Sequence, residues 1–267
     1  MEEIKEKVQY HLDQAKKLRH DGQSSEAISL LMDALMLCRE FDYGKGEIQT
    51  LGNLGLAYKN LGRFEEAIGY LRDAVAQSRK LSLLSELEVS LVNLGSALSE
   101  LGRMQDALSV YDEARALCIT LNNLSGLAKC EIFLGNIHLR LGRSEVAETH
   151  YKKAAELYRQ VNDPLNQAHL NINLGTLAHR RSDYKTAINL FRNALIGYRK
   201  VKNARGILTA LNNLGGVSMD SEQSDEAIDY LEEAFQLAKE GGLADFAWCI
   251  AGTLQSGIDI KTTFSVR

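Results

Sequence analysis

A phrase that returns every 40 residues is the feature of this sequence that most constrains its fold. Its fullest copy, LGNLGLAYKNLGRFEEA, covers residues 51–67, and further copies begin at residues 92, 134, 173 and 213. A chain with such a step is an array of similar units, in which each unit packs on its neighbours and no single central core forms. The periodicity therefore predicts the architecture before any single residue is considered.

Aligning the chain on this step gives six units, which we place at residues 8–47, 48–87, 88–127, 128–167, 168–207 and 208–247. Small residues recur at three fixed places of the unit. These columns are Ala15, Gly55, Gly95, Gly135, Gly175 and Gly215; Ala27, Ala67, Ala107, Ala147, Ala187 and Ala227; and Ala34, Ala74, Ala114, Ala154, Ala194 and Ala234. They indicate helices that pack too closely for larger side chains. A fourth column holds the large residue that fills the space between them: Leu31, Leu71, Tyr111, Tyr151, Phe191 and Leu231.

Within a unit the spacing of apolar residues is helical, as with Leu51, Leu54 and Tyr58 at i, i+3 and i+7. A glycine marks the break between the two helices in the first four units, where a left-handed residue can end the first helix: Gly22, Gly62, Gly102 and Gly142. The last two units have Ser182 and Glu222 there, so the same turn is less firmly indicated. The sequence predicts an all-α protein whose units are helix A, a tight turn and helix B.

This pattern resembles the tetratricopeptide repeat, with Leu-Gly in helix A, a Gly turn, and Ala, a large residue and Ala along helix B. The resemblance covers residues 8–247 and implies a right-handed superhelix, an α-solenoid of six helix-turn-helix repeats. The usual period is about 34 residues, so the extra residues lengthen the helices by about one turn in total or relax the loop between units. The longer variant is similar to the arrays of the LGN/Pins cell-polarity adaptors. Kinesin light chains and the bacterial MalT-like and peptide-sensing regulators carry related arrays.

The two ends of the array depart from the repeat. The first repeat lacks the helix-A glycine, as expected of a capping repeat. We expect a capping helix over residues 243–257, which completes a solenoid of residues 1–257, and a flexible tail over 258–267. The only proline, Pro164, suits the first turn of the helix that follows it.

Composition excludes several classes of function. A net charge of −4 provides no global basic field for nucleic acid. The N-terminal residues lack the apolar run of a signal peptide, and no stretch approaches the run of about 18–20 apolar residues that would span a membrane, so we expect a cytoplasmic protein without membrane insertion. The four cysteines lack zinc-site spacing and indicate reduced thiols, and no metal or other cofactor is expected. Catalytic motifs are missing from the sequence, which favours a non-enzymatic role.

The residue two positions before the helix-A glycine forms a column of mostly asparagines: Asp13, Asn53, Asn93, Phe133, Asn173 and Asn213. An asparagine amide both donates and accepts hydrogen bonds, so a row of them matches the backbone of an extended peptide. The resemblance implies the same role, because such a ladder contacts the ligand in the adaptors. Asparagine is also common there in idealised repeats that bind nothing. The interruption at Phe133 indicates either an apolar pocket or a variant packing.

Basic residues flank this ladder on helix A, with few acidic residues against them. The partner-binding set that we predict is Asn53, Asn93, Asn173, Asn213, Lys59, Lys129, Asn136, Arg140, His169, Arg180 and Asn212. The excess of positive charge favours an acidic or amphipathic segment, although a solvated helix face explains these side chains equally well. The carboxylate clamp of chaperone-binding tetratricopeptide domains is not favoured, since only Asn136 and Asn173 match its five positions.

We therefore predict a scaffold or adaptor that binds an extended or helical segment of another protein in a groove lined by helix A. Two alternatives stay open. One is a regulatory sensor whose superhelix changes pitch when a peptide or small ligand binds. The other is a structural spacer that self-associates weakly through its end helices.

Overall fold

A computed structural model describes residues 1–243, 247 and 250–252 of the chain, and within residues 1–243 it contains twelve α-helices and no strand. The all-α prediction is thereby confirmed. The helices are α1 (Glu2–His20), α2 (Ser24–Glu40), α3 (Gly44–Asn60), α4 (Phe64–Lys80), α5 (Leu84–Glu100), α6 (Met104–Thr120), α7 (Leu124–Arg140), α8 (Ser144–Val161), α9 (Pro164–Arg180), α10 (Tyr184–Lys200), α11 (Ala204–Asp220) and α12 (Ser224–Glu240).

The chain divides into two compact units that each contain several repeats, Met1–Ile137 and His138–Arg267. From here on, the first unit and the second unit mean these two parts, and a single 40-residue module is called a repeat. In the first unit the six helices α1 to α6 pack against one another in consecutive order. In addition, α1 contacts α3 and α3 contacts α5. In the second unit α8 to α12 pack in the same consecutive way, and α9 also contacts α11. Each odd-numbered helix is a helix A, so the A helices of successive repeats touch one another within a unit.

The columns of small residues lie in the core, as their spacing predicts. Every alanine of the two helix-B columns is at most 1 % exposed, and the large residues of the fourth column are equally buried. A Cβ added to Gly95 would lie 2.8 Å from the ring of Tyr111, and one added to Gly175 would lie 2.5 Å from the ring of Phe191. The helix-A glycine is thus the place where the large helix-B side chain of the same repeat meets the backbone.

All the connectors between helices share one conformation. Each contains a residue with positive φ, and these residues recur every 20 positions: Gly22, Asp42, Gly62, Ser82, Gly102, Asn122, Gly142, Asn162, Ser182, Lys202, Glu222 and Gly242. In each, the backbone N–H of the following residue donates to the carbonyl five residues earlier, as Arg63 does to Tyr58 at 3.0 Å. This is the Schellman arrangement, which satisfies carbonyls at a helix end.

The turns at Ser182 and Glu222 therefore have the same left-handed geometry as the glycine turns, with φ values of 58° and 62°. The turns within repeats and between repeats are also alike. Because helices A and B are mostly 17 residues long, the six residues beyond the usual repeat extend the helices and leave the loops short. The helix pairs also begin earlier than the predicted frame, since α3 starts at Gly44 and not at Ile48. A period determines the length of a unit but not its starting point.

The remaining predictions on the fold concern single residues. Pro164 opens α9, and the Asp163 carboxylate caps that helix by accepting from the backbone N–H of Asn166 at 3.0 Å. Cys38, Cys118 and Cys130 are buried thiols, and Cys249 lies outside the described residues. None of the described helices has the length and apolar character needed to cross a membrane.

The predicted capping helix at residues 243–257 falls largely outside the described part of the chain. Within it, Ala247 and residues 250–252 are helical, and Ile250 is buried in the hydrophobic core of the second unit. The predicted tail at 258–267 lies wholly outside the described residues. Both expectations stay predictions.

Candidate functional site

An open groove lies between the two A helices α3 and α5 of the first unit. Its volume is about 300 Å³, and its lining residues are Ile48, Gln49, Gly52, Asn53, Leu56, Ser85, Glu86, Val89, Ser90 and Asn93. A Cβ added to Gly52 would meet nothing within 4 Å, so this part of the α3 surface is accessible to another chain. The side chain of Val89 is 58 % exposed on the opposite wall, although it is apolar. The groove therefore offers an apolar contact beside exposed backbone.

The predicted asparagine ladder contributes two residues to this groove, and they differ in their bonding. The Asn53 amide is held in place, because its Nδ2 donates to the carbonyl of Gln49 at 2.9 Å and its Oδ1 accepts from Nη2 of Arg19 at 3.2 Å. The Asn93 amide is half-buried and makes no hydrogen bond to any described residue. Its donor and acceptor are both available to a ligand.

An ion pair lies at the lip of the groove nearest the start of α5. Lys45 Nζ on α3 lies 2.9 Å from Oε1 of Glu86 on α5. The hydrogen bond from Lys45 holds the pKa of the Glu86 carboxyl below its usual value. The charge of this lining carboxylate is therefore compensated by the protein itself.

Two half-buried cations, Arg19 and Lys59, lie beside the ladder in the first unit. Lys59 Nζ donates to Oγ of Ser96 at 3.0 Å. Desolvation lowers the pKa of Lys59, an effect that the negative charge of Glu100 partly opposes. The Nε–H of Arg19 is buried without a hydrogen bond to any described residue, and desolvation lowers the pKa of this guanidinium too.

Lys59 belongs to the predicted set, whereas Arg19 was missed as a site residue. The signal that identifies Arg19 is its column, four residues after the small residue of helix A: Arg19, Lys59, Ser99, Leu139, His179 and Met219. The column is hard to recognise at Arg19, because the first repeat lacks the Leu-Gly phrase on which the columns are aligned.

Three further predicted or ladder positions of the first unit lie on α7. Lys129 is exposed and Asn136 is half-buried. Phe133 stacks on Tyr111, with ring centroids 5.1 Å apart and an interplanar angle of 13°. Of the two interpretations of Phe133, this contact supports a variant packing and not an apolar pocket.

In the second unit the ladder continues with Asn173 on α9 and Asn213 on α11, and both are half-buried. Neighbouring Asn212 is half-buried as well, and its buried Oδ1 has no hydrogen bond within the described residues. Between the same two helices, Nε2 of His179 lies 2.6 Å from Oδ2 of Asp220. On this face, therefore, His179 has a carboxylate hydrogen-bond partner on the adjacent A helix.

The other predicted residues of the second unit are exposed. Arg140 lies at the end of α7 and Arg180 at the end of α9. His169 is exposed on α9, with its ring centroid 5.3 Å from that of Tyr198. In the described part of the molecule, no three His, Cys, Asp or Glu side chains are grouped so that they could hold a metal ion.

Comparison with known proteins identifies the repeats. The family model described as tetratricopeptide repeat matches residues 11–80, 86–160 and 166–240. No curated protein matches the sequence. The similarity to the LGN/Pins arrays in particular stays a prediction.

Several solved structures share the fold at low identity. A signal-transduction ATPase with a tetratricopeptide repeat sensor from Pyrococcus horikoshii has a TM-score of 0.73 at 16 % identity, covering 97 % of this chain and 40 % of that one. BtubC from P. vanneervenii has a TM-score of 0.66 at 16 % identity, covering 90 % and 92 %. A Rap protein complexed with competence and sporulation factor has a TM-score of 0.67 at 13 % identity, covering 95 % and 75 %. At these identities the likeness shows the fold alone.

Proposed function

Because the chain belongs to the tetratricopeptide repeat family, we propose that it is a non-enzymatic scaffold that binds an extended segment of a partner protein along helix A. The observation that carries the proposal is the groove between α3 and α5, of about 300 Å³, with the Asn93 amide unbonded at its wall. The side-chain amide of asparagine matches the N–H and C=O of an extended backbone.

The neighbours of Asn93 fit this use. Gly52 leaves the surface of α3 open to a close approach by the backbone of a segment. Val89 presents an apolar side chain that an aliphatic residue of the segment would cover. Asn53 is already fixed by two hydrogen bonds, so little side-chain entropy is lost when a ligand contacts it.

The known structures support the coarser part of the proposal, which is a role in binding proteins or peptides. A Rap protein of the same fold was solved as a complex with competence and sporulation factor. The remaining predicted contacts also stay part of the proposal: Asn173, Asn213, Asn212, Lys129, Asn136, Arg140, His169 and Arg180.

A random-peptide display selection tests the proposal without a known partner. Dodecapeptides flanked by fixed Gly-Ser linkers are selected on the full chain, and their affinities are then measured as synthetic peptides. We expect Asn93→Ala to weaken the selected peptides by about fivefold, the scale of one neutral hydrogen bond. Asn193→Ala, at an exposed position of helix B in the second unit, is the matched control and should leave affinity unchanged. Failure to select any peptide, or equal affinity in both variants, contradicts the proposal.

The selected peptides also separate the two alternatives from the scaffold. A scaffold keeps its small-angle scattering profile when the peptide binds, whereas a sensor that changes pitch does not. A self-associating spacer would show a concentration-dependent mass in sedimentation without any peptide.

A further inference from the structure

Arg19 on α1 and Lys59 on α3 are half-buried cations of the first unit that lack a paired carboxylate. Neither has an acidic side chain within 4.0 Å among the described residues. Four exposed arginines of the same unit are paired: Arg39 with Glu47, Arg63 with Glu66, Arg79 with Glu113 and Arg103 with Asp106. Arg19 and Lys59 thus combine partial burial with the lack of a carboxylate within 4.0 Å, whereas half-buried Arg115 has Asp112 at 3.0 Å and Glu131 at 3.8 Å.

Such an arrangement is costly for folding alone. Removing a cation from water is unfavourable unless an opposite charge or a full set of hydrogen bonds replaces the lost hydration. Among the described residues, Lys59 has only the Ser96 hydroxyl as an acceptor, and Arg19 has only the Asn53 amide oxygen. The Arg19 guanidinium carries five donor hydrogens, and its Nε–H is buried without an acceptor in the described residues.

Both cations are connected to the groove described above. Arg19 donates to Asn53, which lines the groove on α3. Lys59 donates to Ser96, which lies one helical turn beyond Asn93 on α5. A segment held by Asn93 would therefore bring its neighbouring side chains close to the two cations.

We propose that Arg19 and Lys59 bind the side-chain carboxylate of an aspartate or glutamate in the partner segment. This assignment rests on the proposed function, because it requires a segment in the groove. Charge complementarity supports it, since a carboxylate supplies the acceptors that both cations lack and arginine binds carboxylates with well-defined geometry. A carboxylate in this place would also oppose the desolvation that lowers the pKa of both cations.

A purely structural role for the two cations is a weaker explanation. Both lie in the last turn of their helices, where positive charge favours the helix dipole. That effect does not require burial, and the exposed Lys17 and His20 already place positive charge in the last turn of α1. We assign a side-chain carboxylate and not a chain terminus because a side chain lets the segment continue through the groove in both directions.

The test uses the same display selection, in which the linkers on both sides exclude a free C-terminus. We expect the peptides selected on the full chain to contain Asp or Glu at one fixed position. Arg19→Gln and Lys59→Gln should each weaken a C-terminally amidated synthetic peptide by about tenfold, the scale of a charge-assisted hydrogen bond. Glutamine keeps an N–H donor for Asn53 or Ser96 without the charge. Lys17→Gln and Lys80→Gln remove exposed charges from the same unit and should change affinity by less than about twofold.

A double-mutant cycle then links the cations to the acid. Replacing the acidic residue of the peptide by its amide should weaken binding to the native chain but not to the Arg19→Gln/Lys59→Gln variant. Equal loss on both proteins overturns the assignment, as does a selection without acidic enrichment. If peptides still depend on Asn93 in these cases, the proposed function stands and only the carboxylate site fails. Circular dichroism and thermal melting confirm that each variant is folded.

Discussion

The two units of this chain have the same packing columns but different helix-A faces. At the position four residues after the small residue of helix A, the first unit has Arg19 and Lys59 without a carboxylate within 4.0 Å in the described residues. The second unit has His179 at the same position, and Asp220 lies 2.6 Å from it. The repeat thus determines where a side chain lies, while the neighbouring repeat determines whether it meets a carboxylate.

The units also differ in their turns. Each turn within a repeat of the first unit has glycine at its left-handed position, at Gly22, Gly62 and Gly102. The second unit has Ser182 and Glu222 at two such positions with the same positive φ. The core columns should therefore respond alike to substitution in both units, whereas the faces and the turns should respond differently.

The largest expected effect tests the shared core through its tyrosines. Burial raises the pKa of Tyr151 and Tyr198 to about 12 and also raises that of Tyr111. The pKa of a tyrosine in the unfolded chain is about 10. The contribution of each buried, protonated tyrosine to the stability of the fold is therefore complete below pH 10 and is lost as pH rises toward 12. We expect a loss of about 2 kcal/mol for each tyrosine, measured by urea unfolding from pH 8 to 11.5. Phenylalanine at Tyr111 or Tyr198 should flatten this dependence, while Tyr10→Phe, at an exposed position, should not.

The second effect tests the glycine column in both units. Gly95→Ala and Gly175→Ala would each press a methyl group against a rigid ring, so we expect losses of about 1–3 kcal/mol in the free energy of unfolding. Gly52→Ala and Gly216→Ala are controls with nothing within 4 Å of the added Cβ, and they should stabilise their helices by up to about 1 kcal/mol. Equal effects at ring-facing and open positions in urea unfolding would refute the packing argument.

The third prediction gives the first unit the internal partner that the second unit already has. Ser96→Asp would place a carboxylate beside Lys59 Nζ, which lies 3.0 Å from the present hydroxyl. We expect the free energy of unfolding to rise by about 0.5–1 kcal/mol and the affinity for acidic peptides to fall about tenfold. Unchanged affinity would mean that Lys59 does not contact the acid. Asp220→Asn makes the converse change in the second unit and should leave peptide affinity unchanged.

The smallest effect concerns the turns. Ser182→Gly and Glu222→Gly should each stabilise the second unit by about 0.5 kcal/mol, because relief of the left-handed strain exceeds the added entropy of the unfolded chain. Gly62→Ala and Gly102→Ala should destabilise the first unit by about 1 kcal/mol for the converse reason. Urea unfolding curves measure both, and opposite signs would show that the positive φ values carry no strain.

Much of the fold could be predicted from the sequence because close packing of helices restricts the size of the residues at the contacts. The aligned columns of small and large residues show that restriction directly. The left-handed turns at Ser182 and Glu222 could not be inferred with the same force, since the signal there was the glycine that these turns lack. The helices on both sides and the Schellman hydrogen bonds impose the geometry instead, as at Asp183, whose N–H donates to the Ala178 carbonyl at 3.0 Å.

The candidate site was predictable only in part. Asn53 and Asn93 share a column with Asn173 and Asn213, and nothing in that column distinguishes the pair that lines the groove. The distinction arises from neighbours on adjacent helices, such as Gly52 and Val89, whose proximity is a matter of packing between repeats. Whether a cation such as Arg19 meets a carboxylate depends on the same contacts between repeats.

The identical connectors also determine how such an array can change in length. Since the chain reverses direction every 20 residues, removing one helix with its connector, such as residues 84–103, would preserve every later reversal. It would nevertheless place each later A sequence where a B helix belongs, so glycines would face outward and ladder asparagines would enter the core. Deletions and duplications are therefore tolerated in steps of two helices. A segment exchanged between genes must likewise put A sequences in A positions and B sequences in B positions.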